Sequence, residues 1–119
     1  MKNKVGVIGG AGHIGLPFSC YIQNKGIDTL IIDTNSDILE LIKNKNTPFI
    51  EYDLQNQLDS AINNGLQTTS DLNEIKDCNI AIITLGTSSD KNVIKKFNQL
   101  IDDIISKITE GSTIILRST

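Results

Sequence analysis

A glycine-rich turn between a strand and a helix constrains the fold of this chain more than any other feature. Residues 5–8 form a short apolar run rich in β-branched side chains, and the motif Gly10-x-Gly12-x-x-Gly15 follows almost at once. Beyond the glycines, apolar residues recur at the four-residue spacing of a helix as far as Ile22. A strand that turns into a helix within so few residues is typical of a parallel sheet with helical crossovers.

Further apolar runs extend this alternation along the chain. They cover residues 29–32, 80–84 and 113–116, with a weaker candidate at 66–68. The strong runs are continuous, as expected for parallel strands covered on both faces. Helical periodicity separates them, most clearly over residues 91–109, where apolar side chains share one face. The sequence therefore predicts an α/β fold, a Rossmann-type doubly wound parallel sheet of about five strands with helices on both faces.

Two acids are predicted to cap shorter helices. Asp53 precedes an apolar stripe that begins at Leu54 and is an N-cap candidate. Asp71 and Glu74 resemble a capping box that opens one or two more helical turns.

Length and composition exclude several classes of protein. A chain of 119 residues fits one domain, and no apolar stretch approaches the roughly 18 residues of a membrane span. A net charge of -3 and the single arginine, Arg117, argue against a nucleic-acid partner. Cys20 and Cys78 are too few and too far apart for a disulfide framework or a metal site. We expect a cytoplasmic protein with no metal and no membrane partner.

Each glycine of the motif has its own task in binding a dinucleotide. Gly10 permits the tight turn, Gly12 allows close backbone approach to a pyrophosphate, and Gly15 lets the helix pack closely on the sheet. The helix that begins here points its free N–H groups and positive dipole end at that pyrophosphate. The alternative is a glycine-rich turn that serves packing alone.

The second predicted strand ends in an acid suited to a ribose. Asp33 follows Gly15 by eighteen residues, and a carboxylate there can accept both ribose hydroxyls while repelling a 2′-phosphate. No arginine lies nearby in the sequence, so NAD is favoured over NADP as the cofactor. The alternative is that Asp33 is a solvated strand end.

Other candidate residues follow from position. The single histidine, His13, lies beside the expected phosphates, which favours packing or phosphate contact over catalysis. Ligands of open α/β sheets bind at the carboxyl ends of the strands. That rule selects backbone approach at Gly86 and the hydroxyls of Thr87, Ser118 and Thr119, although each loop could be an ordinary polar one.

Several segments also match a known family in order and spacing. They are residues 5–17, Asp33 followed two positions later by the asparagine Asn35, Thr47-Pro48-Phe49-Ile50-Glu51, and residues 66–71, 83–87 and 116–119. Together they resemble the N-terminal NAD-binding domain of the UDP-glucose/GDP-mannose (nucleotide-sugar) 6-dehydrogenase family. The variants Gly-Gly-Ala-Gly-His and Leu-Arg-Ser-Thr are most similar to the branch that acts on UDP-N-acetylhexosamines.

The resemblance implies a set of roles. It implies NAD contacts at Gly10, Gly12, His13, Ile14, Asp33, Leu85, Gly86, Thr87 and Ser118. Thr119 matches a threonine that helps to position groups at the reacting centre. Family members oxidise the C6 alcohol of a nucleotide sugar to a carboxylate in two NAD-dependent hydride transfers, through a cysteine thiohemiacetal. Full-length members are expected to be homodimers.

The chain departs from the family pattern at two places. After Thr87 the family usually has a proline and a longer loop, whereas Ser88-Ser89-Asp90 leads directly into a helix. The sequence ends at Thr119, where the family continues toward its catalytic cysteine, dimerising helix and second domain. We therefore expect the nucleotide sugar to bind only with that missing part, and the isolated chain not to turn over. The alternatives are a stand-alone NAD-binding module and a Rossmann domain of another hydroxyacid- or hydroxyacyl-type dehydrogenase.

Overall fold

A five-stranded parallel sheet forms the centre of the molecule. The computed structural model describes residues 3–85 and 90–117. The strands are β1 (Lys4–Ile8), β2 (Asp28–Ile32), β3 (Gln67–Thr69), β4 (Ile80–Ile83) and β5 (Thr113–Leu116). They pair in the order β3-β2-β1-β4-β5, all parallel. The predicted strands are confirmed, each to within a residue or so at its ends.

Helices cover both faces of the sheet, as predicted. They are α1 (Gly15–Asn24), α2 (Ser36–Lys43), α3 (Leu54–Asn63), a 3₁₀ helix (Leu72–Asp77) and α4 (Lys91–Lys107). On one face α1, α2 and α3 enclose an apolar core that includes Leu16 and Leu58. On the other, the 3₁₀ helix and α4 contribute Ile75 and Ile104 to a second core. No helix within the described ranges is long and apolar enough to span a membrane.

The strand order creates a crevice at the carboxyl edge of the sheet. β1 lies between β2 and β4. The helix that follows β1 packs on one face and the helix that follows β4 packs on the other. The two connections therefore diverge where β1 and β4 end, which leaves an opening for a ligand.

The prediction that the Asp53 side chain caps α3 is wrong. Asp53 occupies the N-cap position, but its backbone is left-handed, with φ 60°. A capping residue normally has an extended backbone that brings its side chain to the backbone N–H groups of the first turn. Here the carboxylate instead accepts hydrogen bonds from the side-chain amides of Asn56 (2.9 Å) and Gln57 (3.2 Å), and these bonds lower the pKa of Asp53.

The predicted capping box is half correct. The Asp71 carboxylate accepts a hydrogen bond from the N–H of Asn73 at 3.0 Å and caps the 3₁₀ helix. The Asp71 N–H donates to the hydroxyl oxygen of Thr69 at 3.1 Å. The Thr69 hydroxyl in turn donates to Glu74. In a complete capping box the Glu74 carboxylate would accept directly from the Asp71 N–H, whereas here the Thr69 hydroxyl bridges these two groups.

Candidate cofactor-binding site

Hydrogen bonds from both neighbouring strands hold the turn between β1 and α1. The Gly9 N–H donates to the Ile32 carbonyl at the end of β2, at 2.9 Å. The backbone N–H and the hydroxyl of Thr84 both donate to the Ile8 carbonyl, each at 2.9 Å. Gly9 has a φ of 82°, in the left-handed region that favours glycine. The turn is therefore fixed between β2 and β4 at the carboxyl edge.

Two glycines of the motif are required by the packing of the turn itself. A Cβ at Gly15 would lie 2.4 Å from the Gly9 carbonyl oxygen and 2.6 Å from Gly10 Cα. A Cβ at Gly10 would lie 2.8 Å from Ile31 Cγ2 and 2.8 Å from the Val7 carbonyl oxygen. Because backbone and core atoms cannot yield easily, side chains at these positions would displace α1 or the turn.

Gly12 is different, because the protein leaves room beside it. A Cβ there would meet only the Gly9 carbonyl oxygen, at 3.4 Å, which is an ordinary contact. Its backbone is not in the left-handed region. Neither packing nor conformation explains the glycine, whereas a group that passes close to the backbone would explain it.

Free backbone donors lie next to Gly12. The N–H groups of His13, Ile14 and Gly15 have no acceptor among residues 3–85 and 90–117, while the Leu16 N–H already donates to the Gly12 carbonyl at 3.0 Å. Unpaired N–H groups at a helix N-terminus, together with its dipole, favour an anion. A phosphate group fits this position.

Asp33 is held beside the turn by two backbone donors. Its Oδ2 accepts from the Ala11 N–H at 3.1 Å, and its Oδ1 accepts from the Asn35 N–H at 3.0 Å. Each carboxylate oxygen can accept more than one hydrogen bond, so both retain capacity for a ligand hydroxyl. The half-buried carboxylate is thus oriented before any ligand arrives.

A small, mainly apolar cleft adjoins Asp33. Its volume is about 110 Å³, and it is lined by Ile8, Gly9, Ile32, Asp33, Thr34, Ser70, Leu72, Leu85 and Leu100. A flat aromatic base suits such walls. Hollows of about 310 and 330 Å³ lie at β3 and at the amino end of the sheet. Although larger, they are remote from the glycine turn and its free donors.

Sequence reasoning missed part of this cleft. Leu72 and Leu100 belong to the 3₁₀ helix and α4, where apolar residues are expected to fill the core. Their presence beside Asp33 follows from how the 3₁₀ helix and α4 pack on the sheet, which no local sequence pattern indicates. Gly9 could have been found, because it immediately precedes the motif.

The His13 ring has a packing partner. It stacks on the Phe49 ring with centroids 4.0 Å apart and an interplanar angle of 29°. Phe49 packs against the core beneath α1 and α3. The stacked rings therefore connect the segment after α2 to the glycine turn. This agrees with the packing role that the sequence suggested for His13.

Neither cysteine is a nucleophile in this structure. Cys20 and Cys78 are both buried. Burial raises the pKa of Cys20 to about 12 and also raises the pKa of Cys78. Both thiols are thus protonated at neutral pH, and the thiolate is the reactive form.

The structure brings six of the predicted site residues to one place. Gly10, Gly12, His13 and Ile14 form the turn, and Asp33 and Leu85 lie at its sides. Gly86, Thr87, Ser118 and Thr119 lie outside the described residues. Contact between any of these residues and NAD stays a prediction.

Comparison with known proteins agrees with this arrangement. The family model "UDP-glucose/GDP-mannose dehydrogenase family, NAD binding domain" matches residues 3–119. A GDP-mannose 6-dehydrogenase from Pseudomonas putida is 29% identical in an alignment 118 positions long, which covers 92% of this chain and 27% of that protein. This chain thus spans about a quarter of the relative's length.

Two solved structures have a similar fold. A UDP-D-ManNAc dehydrogenase from Pyrococcus horikoshii superposes with a TM-score of 0.87 at 24% identity, over 98% of this chain and 28% of that one. The UDP-N-acetyl-mannosamine dehydrogenase Cap5O from Staphylococcus aureus gives 0.83 at 26% identity, over 98% and 29%. The fold, the glycine turn and the near-complete family match agree, so the chain belongs to the UDP-glucose/GDP-mannose dehydrogenase family and represents its NAD binding domain.

Proposed function

We propose that this chain supplies the cofactor site of a nucleotide-sugar 6-dehydrogenase and binds NAD through the turn that follows β1. The observation that carries the proposal is the open space beside Gly12, next to the free N–H groups of His13, Ile14 and Gly15. The fold does not need glycine there, whereas a pyrophosphate lying on the turn does.

The surrounding residues suit the adenosine half of the cofactor. The carboxylate of Asp33, held by Ala11 and Asn35, would accept the ribose hydroxyls. The apolar cleft beside it would take the adenine ring between walls that include Leu72 and Leu85. When bound, NAD supplies the hydride acceptor, and the residues described here bind and orient it.

The substrate belongs to the proposal as well. Relatives are named for GDP-mannose and for UDP-N-acetyl-mannosamine, and the Gly-Gly-Ala-Gly-His variant favours a UDP-N-acetylhexosamine. The reaction would convert the C6 alcohol to a carboxylate in two NAD-dependent steps, in the cytoplasm, within a homodimer. Because the chain spans about a quarter of such proteins, residues outside it would hold the sugar and the catalytic cysteine.

Calorimetric titration with NADH and NADPH tests the cofactor assignment. We expect a Kd for NADH in the micromolar range and binding of NADPH at least about tenfold weaker, because Asp33 repels the 2′-phosphate. In Asp33→Asn, NADH should bind more weakly and the preference over NADPH should shrink. Asp37→Asn, on the exposed start of α2, is the matched control and should behave as wild type.

Two results would contradict the proposal. One is the absence of NADH binding by the folded wild-type chain, and the other is equal affinity for NADPH. A separate assay mixes the chain with NAD and UDP-N-acetylmannosamine and records absorbance of NADH. Turnover there would refute the assignment of substrate chemistry to residues outside this chain.

A further inference from the structure

We propose that Thr84 is a positioning residue whose buried hydroxyl sets the glycine turn for the dinucleotide. Thr84 is the first residue after β4 and is 9% exposed. Its hydroxyl donates to the carbonyl of Ile8, the last residue of β1, at 2.9 Å. The sequence suggested only a polar residue at a strand end.

The Thr84 oxygen lies close to both ends of the turn. A Cβ built on Gly9 would lie 3.0 Å from Oγ1, and a Cβ built on Gly15 would lie 2.9 Å from it. The hydroxyl therefore fills the space between the glycine that opens the turn and the glycine that begins α1. One oxygen atom thus lies next to the start and the end of the turn and bonds to the carbonyl that precedes it.

This contact is separate from the pairing of the strands. The Thr84 backbone N–H already donates to the same Ile8 carbonyl at 2.9 Å and continues the ladder between β1 and β4. The hydroxyl adds a second bond to that carbonyl, which has two lone pairs. Loss of the hydroxyl should therefore leave the sheet paired and loosen the turn that follows Ile8.

The N–H groups proposed to face the pyrophosphate belong to that turn. Those of His13, Ile14 and Gly15 are aimed by the backbone from Gly9 onward, so a looser turn presents them less accurately. The effect on NAD affinity rests on the proposed function above. The effect on the turn itself does not.

The test compares Thr84→Val, which removes the hydroxyl at constant shape, with Thr84→Ser, which keeps it. Thr84→Ala is the second variant, since it adds no methyl against Gly9 and Gly15. Amide hydrogen exchange is measured by NMR without NAD at Gly9, whose N–H donates to Ile32, and at Ala11, whose N–H donates to Asp33. NADH affinity is then measured by calorimetry.

We expect Thr84→Val and Thr84→Ala to raise exchange at Gly9 and Ala11 about tenfold and to weaken NADH binding by a similar factor, since one buried hydrogen bond is lost. Amide exchange within β2 and β3 should stay unchanged. Thr84→Ser should show wild-type exchange at Gly9 and Ala11 and wild-type NADH affinity. Thr29→Val is the control: it removes the hydroxyl of another buried threonine, which donates to the Ile27 carbonyl at 2.8 Å, at the amino end of β2 and away from the turn.

Two results would overturn the role of Thr84. One is unchanged exchange and affinity in the Val and Ala variants, and the other is a uniform rise of exchange through the sheet, which would mark general destabilisation. If wild-type protein binds no NADH, the proposed function fails. The exchange data still decide whether Thr84 holds the turn.

Discussion

Gly12 and Gly15 belong to one motif, yet each position requires glycine for a different reason. An added methyl at Gly15 would lie 2.4 Å from the Gly9 carbonyl oxygen, inside the protein. At Gly12 the corresponding contact is 3.4 Å and the remaining space is open. One glycine therefore serves the packing of α1 on the turn, and the other leaves room for something outside the chain.

Alanine substitutions should distinguish a glycine required for packing from a glycine required for cofactor binding. Gly15→Ala should lower the free energy of unfolding by about 2–4 kcal/mol, because backbone must move to admit the methyl group. Gly12→Ala should remain within about 1 kcal/mol of wild type but weaken NADH binding at least about tenfold. Urea denaturation and calorimetry measure the two quantities. Normal NADH affinity in Gly12→Ala, or wild-type stability in Gly15→Ala, would contradict this explanation.

The sequence revealed the residues of the site that belong to a local pattern. The glycine spacing and Asp33 can be recognised because the chemistry of a dinucleotide requires them at fixed places along the chain. Thr84 could not be recognised in the same way. Its hydroxyl bonds to a residue 76 positions away, so its role depends on how β1 and β4 pair.

At the level of helices and strands, a buried glutamine joins three elements. Gln23 of α1 is 3% exposed. Its Oε1 accepts from the Thr29 N–H in β2 at 2.9 Å, and its Nε2 donates to the Asn64 carbonyl after α3 at 2.8 Å. Each end of the amide therefore satisfies a backbone group that the packing of α1 would otherwise leave unpaired.

We predict that Gln23→Ala lowers the free energy of unfolding by about 2–4 kcal/mol. The substitution leaves the Thr29 N–H and the Asn64 carbonyl without their partner and opens a small cavity. Gln99→Ala, on the exposed surface of α4, should change stability by less than about 0.5 kcal/mol. Urea denaturation of both variants provides the measurement. Equal stabilities would show that water replaces the amide without cost.

The elements themselves were largely predictable, and their ends and surroundings were less so. Continuous runs rich in β-branched residues located β1, β2, β4 and β5, as expected for strands of a parallel sheet. β3 was only a weaker candidate, at residues 66–68. The Asp53 cap failed because it depends on a backbone angle, φ 60°, that the sequence does not display. The helix over residues 91–109 was identified correctly, although α4 ends at Lys107.

The apolar face of α4 shows the limit of periodicity. Ile104 is fully buried, whereas Val93, Ile94 and Ile105 are 38%, 42% and 58% exposed. The spacing of apolar residues shows that a helix has an apolar side. It does not show how much of that side the rest of the chain covers.

At the scale of the whole molecule, α4 and the edge strand β5 both carry exposed apolar side chains. Among the described residues, β5 pairs only with β4, which leaves its outer edge unpaired. Ile115 and Leu116 on this strand are 46% and 59% exposed. Exposed apolar side chains beside an unpaired strand edge favour association with other chains.

We therefore predict that the chain associates with itself weakly, in the high-micromolar to millimolar range. The double variant Ile105→Glu and Ile115→Glu should remain monomeric, because it places charge on both the helix and the strand edge. Analytical ultracentrifugation over a series of concentrations measures the effect. The double variant Gln99→Glu and Ser106→Glu adds the same charge to the polar side of α4 and should associate as wild type does. If this control also abolishes association, general charge repulsion explains the loss and the apolar side chains do not. A wild-type chain that stays monomeric at millimolar concentration would exclude self-association altogether.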